Sequence, residues 1–376
     1  MSWLPPNLPD PLPVVWRAPL TASALGGVAA TQEFVILADR DALDTTDIFR
    51  CLRAETGEEV WAVRELSSGH LDYGNSGRAT PTIHGDLVFL YNAHGTLICV
   101  KLATGEVVWK KNLLSEFRGK DLTNAWGTSS SPLVVDDKLI VNPGGPEASV
   151  VALVPATGEV VWKTPGGHAA FASFIVGTFG NRRQIVGYER KALVGLDPDT
   201  GQQLWRLVPP VANDFNVPTP IAVDGKLLVT TENNGMRLYD FNADGTIKPE
   251  PIATNDELAP DTHTPIVLGS RVFGVWLGMQ CVDLKTGLQT VWFQEDEAFD
   301  DYAVLVGCGD RALAVSKFGE LILIDAQANK FQPIARRHVF KDDPGVLSHP
   351  AFVGTRMYLR GSNELVCLEL KAEQAK

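Results

Sequence analysis

The sequence predicts an all-β fold: an eight-bladed β-propeller of four-stranded blades, its ring closed by an N-terminal strand that completes the C-terminal blade. Three observations predict it. The octapeptide ATGEVVWK stands at 103–110 and again at 156–163. Looser copies of the phrase recur at intervals of 42–53 residues, the spacing of a repeat architecture. The last copy is cut in two, with its first half near the C-terminus and its second half near the N-terminus.

The copies fall in order. RAETGEEVW ends at Trp61, KLATGEVVW at Trp109, VPATGEVVW at Trp162, DPDTGQQLW at Trp205 and DLKTGLQTVW at Trp292. Two degenerate copies, DFNADGTIKP at 240–249 and DAQANKFQPI at 325–334, fill the gaps. Gly57, Gly105, Gly158, Gly201, Gly245, Gly287 and Asn329 mark one phase. Asn in the last place is expected where a turn needs positive φ. ELVCLELKA (364–372) matches TLICVKLAT (96–104) up to the turn and stops, and PVVWRAPL (13–20) matches EVVWKKNL (106–113) with nothing before it. Tail before head makes an eighth copy, so 376 residues give 47 per unit, the size of a four-stranded blade.

Each unit reads as four strands. In 79–110, TPTI and LVFLYN flank the turn His84-Gly85-Asp86, TLICVKL follows a second turn, and Thr104-Gly105 leads into EVVW. PLVVDDKLIVN (132–142), PIAVDGKLLVT (220–230) and PIVLGSRVFGV (265–275) repeat the first hairpin. Residues 1–12, with Pro5, Pro6, Pro9 and Pro11, read as an extended lead-in, 13–372 as one propeller domain and 373–376 as a tail.

Six of the nine tryptophans, Trp16, Trp61, Trp109, Trp162, Trp205 and Trp292, occupy one repeat position. They read as packing wedges against the adjoining blade, with exposed ligand platforms as the rival reading. Cys51, Cys99, Cys281 and Cys367 also share one slot and read as small buried hydrophobes. Cys308 falls at a hairpin turn, and nothing in five cysteines without a CxxC calls for a disulfide or a zinc site.

Composition excludes some classes. A net charge of −12 repels phosphate backbones, so nucleic acid is not an expected partner. No apolar run reaches the roughly 18 residues of a membrane helix. The opening MSWLPPNLPDPLP has neither the basic start nor the apolar stretch of a signal peptide. The acidic stretches ADRDALDTTD (38–47) and QEDEAFDDY (294–302) read as solvated loops; the first lacks the Gly and Glu of a calcium loop. No GxSxG, HExxH, Walker A or GxGxxG is present.

The Ala-x-Thr-Gly-x-x-x-Trp phrase resembles the repeat of the quinoprotein-type, PQQ-binding-like β-propellers, over residues 13 to 372. That family includes the PQQ-dependent alcohol dehydrogenases, the BamB-type outer-membrane assembly lipoproteins and short single-domain bacterial members. The resemblance implies periplasmic or secreted location, while the N-terminal residues leave the cytoplasm open. The dehydrogenases carry an adjacent Cys-Cys pair under the quinone and a calcium ion. This chain has no Cys-Cys, so no cofactor is expected, and PQQ with calcium is left without that support.

The segments entering each first strand do not repeat and are expected at the mouth of the central channel. They hold Tyr73, Asn75, Arg78, Asn124, Trp126, His168, Asp214, Asn216, His263, Asp301, Tyr302 and His349. Three readings stand: polar groups that satisfy backbone at strand starts, a small-molecule or peptide site, and a metal site of His and Asp from different blades. Two functions follow. The first is a non-catalytic, monomeric scaffold for a protein, peptide or small molecule. The second is an enzyme at the channel mouth, a quinoprotein-like oxidoreductase or a carbohydrate-active protein. Convergence of Arg78, Trp126, His168, Asp214, His263 and His349 within about 10 Å would favour the enzyme.

Overall fold

The computed structural model describes residues 3–119, 126–211, 214–340 and 345–371. The described strands form eight four-stranded antiparallel sheets, the blades of an eight-bladed β-propeller. Blade 1 spans 29–66, blade 2 82–112, blade 3 133–164, blade 4 175–207, blade 5 221–255, blade 6 266–294 and blade 7 303–338. Blade 2 shows the pattern: Thr82–His84, Leu87–Tyr91, Thr96–Lys101 and Val107–Asn112, in sequence order from first strand to outer strand. Blade 8 takes three strands from 351–369 and its outer strand, Val14–Pro19, from the other end of the chain. Trp16 pairs with Cys367 and Ala18 with Leu365, as the split repeat requires.

The chain divides into two compact units, one of residues 1–65 with 263–376 and one of 66–262. In both, the core lies between blades. In the first unit one cluster joins blades 6 and 7, another blades 7 and 8, another blades 8 and 1. In the second unit clusters join blades 2 and 3, 3 and 4, and 4 and 5. A single twisted sheet cannot bury its own faces, so neighbouring repeats do it for each other.

That explains the repeated phrase. The indole Nε1 of Trp16 donates to the carbonyl of Ala54 (3.0 Å), Trp109 to Pro155 (2.8 Å) and Trp162 to Pro198 (3.2 Å), each in the next blade. Each acceptor stands three residues before a turn glycine. Gly57, Gly158 and Gly201 have φ of +76°, +70° and +71°, and a Cβ there would lie 2.7, 2.9 and 2.3 Å from the same indole. The Thr-Gly and the Trp are therefore two halves of one contact, made across successive blades. Trp205 reaches blade 5 by relay: its Nε1 donates to Gln184 (2.6 Å), whose amide donates to Gly245 (2.7 Å).

The cysteine slot has a cause the sequence did not reveal. Trp16, Trp109 and Trp292 pair across the sheet with Cys367, Cys99 and Cys281, and Trp162 and Trp205 pair with Ala152 and Gly195. Only a small side chain fits opposite an indole; a Cβ on Gly195 would lie 2.2 Å from Trp205. The residue before each of these tryptophans is a bulge, which turns the ring inward and twists the outer edge. All five cysteines are free thiols; Cys308 ends its strand at the hairpin tip.

Two expectations need correction. Asn329 does not take positive φ. Its turn is closed by Asp325 N–H to the Gln332 carbonyl, whereas the turns at Gly57, Gly105, Gly158 and Gly201 close five residues apart, as Lys101 to Glu106 does. The longer turn relieves the backbone of the left-handed residue, and Asn329 instead accepts from Arg271 (2.6 Å). Nor is 38–47 wholly a solvated loop. Only its tip is exposed, while Asp39, Arg40 and Asp47 are buried, with Arg40 donating to Asp47 (2.9 Å) and Asp39 accepting from the amides of Thr21 and Ala22.

Candidate functional site: an aromatic cleft on the loops of blades 2 to 5

In the unit of blades 2–5, a chain of hydroxyls spaces the loops that enter the first strands. Thr80 N–H donates to Ser131 Oγ (3.0 Å), Ser131 N–H to Ser173 Oγ (3.0 Å), and Ser173 N–H to Thr219 Oγ1 (3.3 Å). The same repeat position thus links four consecutive loops and fixes how their variable residues meet.

Those loops bring four aromatic rings together. Trp126 lies 5.0 Å from Tyr73, 5.1 Å from Phe215 and 6.3 Å from Phe171, and Phe171 lies 5.2 Å from Phe215. Each ring is held by its own loop. Arg78 is buried and donates to the carbonyls of Asp72 (2.7 Å), Gly74 (2.8 Å) and Ser76 (2.8 Å), which presents Tyr73 at φ +61° and 67% exposed. After Trp126, Gly127 packs so closely that a Cβ would lie 2.5 Å from the Ala93 carbonyl, and Thr128 bonds both Ala93 and Asn92. The amides of Phe171 and Ala172 donate to the Asn216 carbonyl, while the Asn216 side chain donates to Arg190 (3.0 Å).

Asp214 anchors Phe215. Its carboxylate accepts from the amide of Phe215 (2.7 Å) and from the side chains of Asn233 (2.8 Å) and Asn234 (2.6 Å). Burial by itself would raise the pKa of Asp214, but hydrogen bonds from Thr231, Asn233, Phe215 and Asn234 outweigh it and hold the carboxyl below its usual range. Both oxygens are occupied, so this carboxylate is a brace.

Three of the rings, Trp126, Phe171 and Phe215, wall a cleft of about 290 Å³, with Arg190, Glu232 and Asn233 among its polar lining residues, and Tyr73 stands against Trp126 outside that lining. It joins Trp126, Asp214, Asn216 and Phe171, all in the expected channel-mouth segments, with Phe215. Phe215 stood in the variable NDFNVPTP segment, but one Phe among sixteen gave the sequence no signal. His168 lies on the loop beside it, its carbonyl accepting from the Arg190 amide (2.9 Å). Asn75 is buried beneath the Tyr73 loop. Asn124 lies outside the described residues.

The remaining expected residues belong to the other unit. His263 is buried and its Nε2 accepts from the Val275 amide (2.9 Å), which places the proton of the neutral ring on Nδ1. Burial first, and the neighbouring His349 second, push its pKa down to about 3. Burial likewise lowers His349, whose carbonyl accepts from Val28 N–H (3.1 Å). Tyr302 packs on the cluster between blades 7 and 8, and Asp301 is paired with Lys317. Among the described residues no three His, Cys, Asp or Glu side chains gather as metal ligands.

At this cleft Trp126 and Asp214 do not fit PQQ with calcium. Trp126, the indole at this cleft, is already flanked by three other rings, and the carboxylate of Asp214 is consumed by donors.

Comparison with known proteins gives a consistent picture. The chain matches the family described as "Outer membrane protein assembly factor BamB" over residues 13–145 and 44–294. It is similar to the outer membrane protein assembly factor BamB of Shewanella oneidensis, 24% identical over 271 residues, which are 66% of this chain and 64% of that one. A shorter stretch of 120 residues is 29% identical to the quinoprotein alcohol dehydrogenase PedH of Pseudomonas putida, covering 30% of this chain and 19% of the dehydrogenase. The chain thus spans less than two thirds of the length of either relative. Among solved structures, BamB from Moraxella catarrhalis superposes with a TM-score of 0.64 at 17% identity, covering 95% of this chain and 99% of that one, a likeness of fold.

Proposed function

We propose, for a chain that belongs to the family described as outer membrane protein assembly factor BamB, the role of a non-catalytic scaffold that holds a partner polypeptide in the aromatic cleft of blades 2–5. The observation that carries this reading is the meeting of Tyr73, Trp126, Phe171 and Phe215 from four successive loops. Aromatic anchors in a braced pocket supply most of the energy of protein interfaces. Glu232 at the same cleft adds an acceptor of the kind that a passing peptide backbone uses.

The chemistry points away from catalysis. The buried carboxylate is saturated and no nucleophile–base pair stands in the cleft's lining. The name of the Shewanella relative, an outer membrane protein assembly factor, supports a protein partner, and the reading places this chain in the periplasm as a monomer.

The test is photocrosslinking. A photoreactive amino acid replaces Tyr73, the exposed ring, in cells that express the protein. An adduct with a defined protein that disappears when Phe215→Ala is added supports the reading. No adduct at Tyr73, or one indifferent to Phe215→Ala, overturns it.

A further inference from the structure

Residues 3–12, ahead of the closing strand, are packed against blades 7 and 8. Leu4 and Leu8 are 3% and 2% exposed and belong to the same core cluster as Val304, Leu323, Met357 and Val366 of those two blades. Trp3 lies 4.6 Å from Phe352 of blade 8. On blade 7, Arg337 donates Nε to the Pro9 carbonyl (2.8 Å) and Nη2 to the Leu8 carbonyl (3.3 Å), and pairs with Asp10 (3.3 Å). Arg311 of the same blade donates to the Pro6 carbonyl (3.4 Å).

The chemistry of the segment explains this contact set. Pro5, Pro6, Pro9 and Pro11 have no N–H, so the segment cannot add a strand to a sheet. What it offers is outward carbonyls and two leucines four residues apart. The groove supplies the complement, guanidinium donors for the carbonyls and apolar walls for the leucines. The segment bends along its length rather than running extended, and its prolines, with φ already fixed, lose little conformational entropy on docking.

We propose that the groove across blades 7 and 8 is a binding site for a bent, proline-rich peptide, and that residues 3–10 are its intramolecular ligand, a clasp that locks these blades ahead of the closing strand. Tethering keeps the groove filled, because a linked ligand is present at high effective concentration. The clasp also precedes Arg17, which donates to Glu364 (2.6 Å) and to the Val339 carbonyl (3.1 Å) and so continues the same seam.

The full chain carrying Leu4→Asp and Leu8→Asp is titrated with a synthetic peptide of residues 3–12. Saturable binding to this variant, no binding to the unaltered chain, and at least tenfold weaker binding once Arg337→Ala is added are expected. The variant should melt lower and recover with peptide. No binding to the variant, or equal binding to the unaltered chain, overturns the proposal. If the double variant does not fold, hydrogen exchange decides: Arg337→Ala alone should speed exchange of the amides in 4–12 while leaving blades 2–5 unchanged, and no change in 4–12 refutes the clasp.

Discussion

Trp109 of blade 2 and Gly158 of blade 3 form one contact: the indole donates to Pro155, and a Cβ on Gly158 would stand 2.9 Å from the ring. The glycine is needed twice, for its φ of +70° and for the space it leaves. Gly287 has a similar φ of +74° but nothing within 4 Å of a Cβ.

That difference makes a controlled test. Gly287→Ala should lose only the cost of a left-handed backbone, about 1–2 kcal/mol. Gly158→Ala should lose that and roughly 1–3 kcal/mol more for overpacking against the indole. Equal losses in denaturant titrations of the two variants would mean that the Trp–Gly contact contributes no packing energy.

The closing strand makes a second test. A chain beginning after residue 20 lacks the partner of Glu364–Glu369 and leaves the pocket of Trp16 empty. An unpaired edge next to a void should aggregate and melt markedly lower. Thermal unfolding unchanged by the truncation would refute the split blade.

Acid should weaken the fold through histidine. In the unfolded chain His263 takes up its proton near 6.5, but burial holds the native ring neutral down to about 3. The unfolded state therefore binds the extra proton between those values. Stability is full above pH 6.5 and falls below it, by at most about 1.4 kcal/mol per pH unit for this group. His263→Asn retains an acceptor for Val275 N–H and should flatten the decline between pH 6.5 and 4, where carboxylates with lowered pKa values, such as Asp214, contribute little. An unaltered pH profile in the variant would remove His263 from the account.

Asp214→Ala should release Phe215. It strands donors from Asn233, Asn234 and the Phe215 amide, at a cost of about 1–3 kcal/mol, and loosens the ring that Asp214 positions. Partner crosslinking from position 73 should fall with it, whereas Asp214→Asn, which keeps one acceptor, should fall less.

Calorimetric titration with PQQ, with and without calcium, should give no heat. The carboxylate of Asp214, the one braced in this cleft, is taken up by three donors and does not stand open to a calcium ion beside a quinone. Saturable micromolar binding would return the oxidoreductase reading and displace the scaffold.

How much was legible depends on the distance over which a signal acts. The turn glycines and the outer tryptophans recur because the same contact recurs, so counting positions found both. Their partnership did not show, since it joins residues of neighbouring repeats rather than residues of one phrase. Asn329 was misread because a two-residue lengthening of its turn changes what the backbone requires, and a match by residue type cannot see that. The loop residues were singled out as a class because they do not repeat. Arg78, Asp214 and His263 proved to be braces, with their polar atoms turned to carbonyls, amides and side chains of their own unit.

The sequence by itself determined the blade count, the strand order within each blade and the joining of the two chain ends in blade 8. Those properties are periodic, and a period is readable from one chain. Only the tertiary structure decided that Phe171 and Phe215 meet Trp126, and that the proline-rich start lies in a groove of blades 7 and 8. Both depend on unique side chains brought together across blades, where no local pattern says which residue will face which.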